Sequence, residues 1–270
     1  MNIAALYRYP VKSLGGQSVP SLRPEVRGFQ DDRRWMFIDP NGKFISRRTV
    51  PKMCEYAAEV HGDELRFVRI SGGHVLGAVA GARTGSKNIA VTVWDDSLTA
   101  TLIEDEGIPV IAEGLGIPGA RLVYMGTEDR RQVDPRFAKP EEEVSFADGF
   151  PYLVTSTASL ADLSERVGED LDEQRFRPNI IVENETPFDE DNWAALKIGS
   201  HNFRLPKPCA RCIMITQQPE TGERNLRVLT ELSAYRKVGN KVMFGMNACW
   251  EGGEGQVRVG DPVVPEGRLA

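Results

Sequence analysis

The stretch Lys207–Gly222, KPCARCIMITQQPETG, sets Cys209 and Cys212 three residues apart, just before an apolar run and a polar turn. The spacing alone admits three chemistries: half of a zinc site, a dithiol redox pair, or one thiolate used singly. Zinc is disfavoured, because Cys54 and Cys249 have no close cysteine or histidine partner and His61, His74 and His201 form no ligand-spaced pair. A thioredoxin-like pair wants its cysteines between a strand and a long helix, whereas the extended run CIMIT follows here. What remains is a single thiolate beside Lys207 and Arg211, acting as a nucleophile or as a soft ligand to a metal that arrives inside a cofactor.

Around this stretch the chain reads as short extended segments. NIAALYRYPV, RRWMFID, KFISRR, LRFVRI, IAVTVW, LTATLI, ARLVYM, PNIIVE, FRLPK, RCIMIT, KVMFGMNACW and QVRVGDPVV are apolar-rich and broken by Gly, Pro, Asn or Asp. Two helices are expected: TASLADLSERV, with Thr157 as N-cap, and the shorter LTELSAYRK. Alternating βα units and glycine-rich phosphate loops are missing, which disfavours a doubly wound nucleotide fold. The fold class is therefore mainly β, and closed or partly closed barrels are the natural way for so many short strands to avoid bare edges. The polar run 126–147 reads as a loop or crossing, which divides the chain into parts 1–122 and 123–270.

Composition narrows the function classes. The 270 residues are 41% hydrophobic and 27% charged, with a net charge of −6 and a pI near 5.3, so nucleic acid is not an expected partner. No signal peptide or membrane span is legible, which predicts a cytoplasmic protein with no membrane partner and cysteines that are packing residues or ligands, not a disulfide framework.

Several charged pieces exceed what a β core needs. YPVKSLGG brings Lys12, Ser13, Gly15 and Gly16 to one strand end, a set suited to an anion such as phosphate. In DDRRWMFID, alternation sends Arg33 and Arg34 to opposite faces, so that one can enter a pocket. In RFRPNIIVE, Arg175, Arg177 and Asn179 share a face, which fits a phosphorylated or heteroaromatic ligand.

Taken together, YPVKS (Tyr9–Ser13), DRRW (Asp32–Trp35), SLADL (Ser159–Leu163), FRPNIIV (Phe176–Val182), CARCIMIT through PETG, FGMN (Phe244–Asn247) and VGDPV (Val259–Val263) occur in one order. That order resembles the MOSC family of molybdenum-cofactor proteins, in the two-part form with an N-terminal MOSC barrel domain that includes the mitochondrial amidoxime-reducing component and its bacterial relatives. The resemblance implies a β-barrel MOSC domain over 123–270, behind a mixed, β-rich N-terminal domain over 1–122. It also implies a molybdopterin cofactor whose molybdenum takes one protein ligand, the thiolate of Cys212. By position it makes Lys12, Ser13, Arg33, Arg177 and Asn179 cofactor-binding, with Cys209 and Arg211 as neighbours of the ligand. It adds backbone contacts from Asp148, Gly149 and Phe150, and has Asn247 closing the pocket.

Two departures are visible. Ile215, Thr216, Gln217 and Gln218 stand where relatives often carry paired threonines and a carboxylate, which predicts an altered wall near the metal; TLIEDEGIPVIAEGLG replaces a Cys-bearing segment. The activity implied is reduction of N-hydroxylated substrates such as amidoximes, hydroxylamines and N-hydroxylated purines. The alternative is a cofactor-binding or sulfur-carrier module without turnover. No plant-type iron–sulfur run is present, so electrons are expected from an external electron-transfer protein or reductase.

Overall fold

The computed structural model describes residues 1–85 and 87–268. Its largest sheet has nine strands, running in space as Gln17–Ser18, Ile3–Arg8, Ile180–Val182, Tyr152–Ser156, Lys241–Gly252, His201–Arg211, Trp193–Ile198 and Val263–Arg268, with Lys237–Val238 paired to the side of Lys241–Gly252. All residues of Tyr152–Ser156 and Ile180–Val182 are buried, as befits strands covered on both faces. These two are parallel, whereas the other pairs in the sheet are antiparallel. A parallel pair needs a crossover, supplied by helix α2, Thr157–Val167. The chain therefore holds one strand–helix–strand unit that the pattern of short strands concealed.

The expected barrel is not closed: no sheet closes on itself among the described residues. The residues leading into Ile3–Arg8 and Val263–Arg268 meet at an isolated bridge, Asn2 to Pro262, with flanking backbone bonds from Ile3 N–H to the Asp261 carbonyl and from Val263 N–H to the Met1 carbonyl. Pro262 has no N–H to extend a ladder there.

Two smaller sheets come from the first part of the chain. Lys87–Val93, Asp96–Ile103, Arg121–Tyr124 and Trp35–Ile38 form one; Tyr56–His61, Glu64–Arg69 and Val75–Val79 form the other. Trp35–Ile38 is buried on both faces, with Trp35 and Phe37 in one core and Met36 and Ile38 in another, as the two-residue period of a strand requires. Phe146, from the crossing, fills the second core, and each such aromatic removed from water contributes about 1.5–3 kcal/mol.

Helix boundaries differ slightly from expectation. The N-cap of α2 is Ser156, whose hydroxyl accepts from the Ser159 N–H, one residue before the expected Thr157. Helix α3 spans Arg227–Arg236, and a third helix, α1 at Ile108–Gly114, was hidden in the Pro- and Gly-bearing run IEDEGIPVIAEGLG. Neither KFISRR nor CIMIT is extended as expected. The first forms isolated bridges at Lys43 and Phe44 and then a turn, and the second is a 3-10 turn, Ile213–Thr216. In that turn the Thr216 hydroxyl donates to the Ile213 carbonyl at 2.7 Å, and Ile215 is buried against α2 and α3.

Candidate functional site

The geometry of the cysteine stretch begins with its prolines. Along His201–Leu205 burial alternates cleanly, but past Pro206 and Pro208 the pairing with Lys241–Gly252 slips between Arg204 and Lys207 and again between Pro208 and Ala210. Proline cannot donate to a ladder, so the strand bulges and turns away from the core. Lys207, Cys209 and Arg211 then line one cleft, with exposed Cys212 just beyond the strand.

That cleft has a volume of about 380 Å³. All twelve residues named from the sequence line it: Lys12, Ser13, Arg33, Asp148, Gly149, Phe150, Arg177, Asn179, Cys209, Arg211, Cys212 and Asn247. They come from both parts of the chain. Among the described residues, eight cations line the cleft, Lys12, Arg33, Arg47, Arg48, Arg175, Arg177, Lys207 and Arg211, against the two carboxylates of Asp134 and Asp148.

Both carboxylates already have partners. Asp148 accepts from Lys12 Nζ at 2.6 Å and from Trp94 Nε1 at 3.1 Å. Burial would raise its carboxyl, but Lys12 overrides that and holds it well below the usual range; the side chain is 75% exposed to the cleft, so solvent screens the pair. Asp134 is held by Arg136 through several bonds, the shortest 2.6 Å.

The inner wall is a closed network. Asp32 accepts from the Tyr9 N–H at 2.8 Å, from Arg33 Nη1 at 2.6 Å and from Asn179 Nδ2 at 3.1 Å. Asn179 Oδ1 accepts from Arg33 at 2.9 Å and from the Leu153 N–H at 3.2 Å, while Nδ2 also donates to the Tyr7 carbonyl at 3.2 Å. Two acceptances and two donations exhaust an asparagine side chain. Asn179 therefore has no hydrogen-bonding capacity left for a ligand; it fixes Arg33 and ties Ile3–Arg8 to Tyr152–Ser156.

Arg177 differs. Its guanidinium donates to the Leu14 carbonyl and lies 4.3 Å from the Tyr9 ring, with Arg33 at 4.5 Å from the same ring. Burial, then Arg47 and Arg33, push it down to about 9. No carboxylate among the described residues pairs with it, so the site calls for an anion from outside. Arg175 Nε and Arg211 Nε are buried without partners, which adds unsatisfied donors to the lining residues.

Backbone strain gathers at the same place. Among the described residues, six that are not glycine have positive φ, and Ser13 (73°), Arg33 (50°), Trp94 (56°) and Arg177 (57°) line the cleft. Each costs about 1–2 kcal/mol that the surrounding structure must offset.

Other parts of the sequence reading change. Arg34 turns away, as alternation allowed, and donates to the Met125 carbonyl. Arg175 ends a 3-10 turn, Glu173–Arg175, and so does not share a strand face with Arg177, yet the 3-10 geometry still brings it to the cleft. Arg211 Nη1 contacts Cys209 Sγ at 3.0 Å, whereas the cation at Cys212 Sγ is Arg48, at 3.6 Å. Arg47, Arg48 and Phe44 were missed because KFISRR read as a strand, and Trp94 because it read as the end of the strand IAVTVW; the RRTVP sequence, turning into Pro51, was the available signal for the arginines. Gln217 does not line the cleft. It is buried, accepting from Cys54 Sγ at 3.2 Å and donating to the Arg47 carbonyl at 3.3 Å, so the wall here is Met214 and Ile215.

A larger hollow of about 810 Å³ lies between α2 and Ile3–Arg8, but it is lined by Ala4, Ala5, Leu160, Ala161 and several carboxylates, with none of the thiol or guanidinium groups. Among the described residues no group of three or more His, Cys, Asp or Glu is arranged to hold a metal ion, and no helix is long and apolar enough to cross a membrane.

Fold and cleft thus define a mainly β protein with a cationic, cysteine-bearing pocket shared by two parts of the chain. A family model described as MOSC domain matches residues 141–264, and one described as MOSC N-terminal beta barrel domain matches residues 1–118. The chain belongs to the MOSC-domain proteins, in the form that carries the MOSC N-terminal domain. It is 27% identical over 279 residues to mitochondrial amidoxime-reducing component 1 of Homo sapiens, covering 97% of this chain and 82% of that one. It is 31% identical over 252 residues to molybdenum cofactor sulfurase of Drosophila mojavensis, covering 88% of this chain and 30% of that much longer one. A crystal structure of the YUAD protein from Bacillus subtilis overlaps 97% of this chain and 93% of that chain at TM-score 0.41 and 8% identity.

Proposed function

We propose that this protein is a molybdenum-cofactor-dependent reductase of N-hydroxylated compounds, with Cys212 as the protein ligand to the metal. The observation that carries the reading is the convergence of one exposed thiol with a cluster of guanidinium groups lacking carboxylate partners, in a cleft shared by both parts of the chain. The donor set fits a metal that brings its own ligands, since a soft thiolate suits a metal already bound to sulfur and the unpaired cations suit an attached phosphate. When bound, the cofactor supplies two-electron reduction: the N–O bond breaks, the oxygen leaves as water with two protons, and the amine or amidine remains.

The residues have separable roles. Arg177 and Arg47 would hold the anionic part of the cofactor, with Ser13 and the backbone of Asp148, Gly149 and Phe150 beside them. Lys12 acts from behind, because its charge is already shared with Asp148 and the Phe146 carbonyl at 2.8 Å. Arg33 is oriented by Asp32 and Asn179. Asn247 Nδ2 donates to the Pro208 carbonyl at 3.2 Å and so braces the bulged strand behind Cys209. Parts 1–122 and 123–270 are both required, and electrons come from a separate carrier protein.

The test is elemental analysis of protein purified from a host that makes the cofactor, with turnover of benzamidoxime measured under two donors. Reduction with an artificial one-electron donor, none with NADH alone, and NADH dependence restored by a reductase–carrier pair is the expected pattern. Loaded molybdenum without turnover on any N-hydroxylated substrate would favour the carrier module; absence of molybdenum would overturn both.

A further inference from the structure

Beside Arg47 and Arg177, assigned above to the anionic part of the cofactor, the other six cations of the cleft fall into two sets. Lys12, Arg33, Arg175 and Arg211 donate to carboxylates, carbonyls, a glutamine or a thiol of the chain itself. Arg48 and Lys207 donate to no carboxylate, carbonyl or amide among the described residues. The Arg48 guanidinium, on the exposed turn after Phe44, lies 4.9 Å from the Trp94 ring, and its one polar contact among the described residues is to Cys212 Sγ at 3.6 Å. Lys207 Nζ lies 4.2 Å from the Phe137 ring and 5.5 Å from the Phe150 ring. Neither pairs with a carboxylate among the described residues, and the carboxylates that line the cleft, Asp134 and Asp148, are taken up by Arg136 and by Lys12.

This arrangement has a chemical consequence. A cation held on an aromatic face is partly stripped of water and gains when a carboxylate reaches it. Trp94 and Phe150 also line the cleft, so a planar ring entering it meets aromatic side chains beside the cations. Charge and flat surface coincide in the cleft that holds Cys212, so whatever approaches that sulfur is read by both.

We infer that Arg48 and Lys207 are specificity-determining residues that favour planar aromatic substrates carrying an anionic substituent over their neutral analogues. The inference rests on the reductase reading for the word substrate, but not for the binding preference itself. Burial and the nearby Lys241 lower Lys207 from its ordinary value, and the opposing pull of Asp134, itself held by Arg136, does not restore it.

The experiment compares 4-carboxybenzamidoxime with benzamidoxime on protein purified from a cofactor-making host, in wild type, Lys207→Gln and Arg48→Gln. Binding is followed by quenching of Trp94, the one tryptophan lining the cleft, without any reductant; turnover ratios follow where turnover exists. The carboxylated compound should bind on the order of tenfold more tightly, and each variant should lose most of that preference. Lys207→Gln lies apart from the proposed metal ligand, so an effect there is not a consequence of disturbing Cys212. Arg48→Lys should recover part of the preference, and molybdenum content reports whether the variants still load. Equal affinity for the two compounds, or a preference that survives both substitutions, overturns the inference. A preference in a protein without turnover supports it while the reductase reading fails; turnover without preference does the reverse.

Discussion

The inner wall of the cleft and its Cys212 side use the same residue types to opposite ends. On the inner wall, Asp32, Arg33 and Asn179 satisfy one another and the neighbouring backbone, so polarity there serves as scaffold. On the Cys212 side, Arg48 and Lys207 face the cleft with aromatic rings as neighbours and no ion pair among the described residues. A buried polar group with every bond made is expensive to disturb and has nothing left for a ligand, whereas an unpaired cation costs little to remove and binds what arrives. Counting satisfied bonds, residue by residue, separates the two roles where residue type does not.

The sharpest break of that comparison is at the thiols. Cys212→Ser should abolish turnover, because a hard hydroxyl replaces a soft donor, while Cys209→Ser should retain much of it. Equal loss in both would mean a paired thiol site.

Next comes the scaffold. Asn179→Ala leaves the Arg33 guanidinium, the Asp32 carboxylate, the Leu153 N–H and the Tyr7 carbonyl each short of a partner, and should cost about 2–4 kcal/mol in urea unfolding. A loss below about 1 kcal/mol, with cofactor content reduced instead, would make Asn179 a binder and not part of the scaffold.

Arg177→Ala should weaken cofactor retention roughly ten- to a hundred-fold, with little loss of fold stability because an unpaired buried cation is also removed. Molybdenum content after dialysis measures it; unchanged content would remove Arg177 from the anion site.

A closed network outside the cleft offers a pH test. Glu190 is fully buried and accepts from Ser156 Oγ at 2.9 Å and Ser159 Oγ at 2.7 Å, and burial raises its carboxyl above the ordinary range. The folded chain thus holds this proton more tightly than the unfolded chain. Its stabilising share is whole below the ordinary glutamate range, about 4.3, and is lost as pH rises through the raised folded value. Glu190→Gln should flatten that dependence in urea midpoints taken across the interval; an unaltered pH slope would show that Glu190 is not its source.

The smallest effect belongs to Lys207→Gln, which should leave fold stability within about 0.5 kcal/mol of wild type, since no hydrogen bond is lost. A larger loss by thermal denaturation would place Lys207 in the scaffold with Asn179.

Much of this is legible in the sequence. Apolar alternation marked most strands, TASLADLSERV marked α2 to within a residue, and each charged piece named from the sequence sends residues to the cleft, although Arg34 turns away. Local order was enough there, because strand period, capping and anion chemistry are properties of short stretches. Tyr56–His61, Tyr152–Ser156 and Trp193–Ile198 were not anticipated as strands, nor Val75–Val79, since their hydrogen-bond partners, not their own composition, make them strands.

Only the tertiary structure decided how the residues divide their work. That Asn179 has no capacity left, that Arg211 serves Cys209 while Arg48 reaches Cys212, and that Gln217 braces Cys54 behind the cleft all depend on contacts between residues far apart in sequence. The reason is physical. A residue's type sets how many bonds it can make and which charge it can carry, but whether those bonds are already made depends on which distant groups folding brings within about 3 Å.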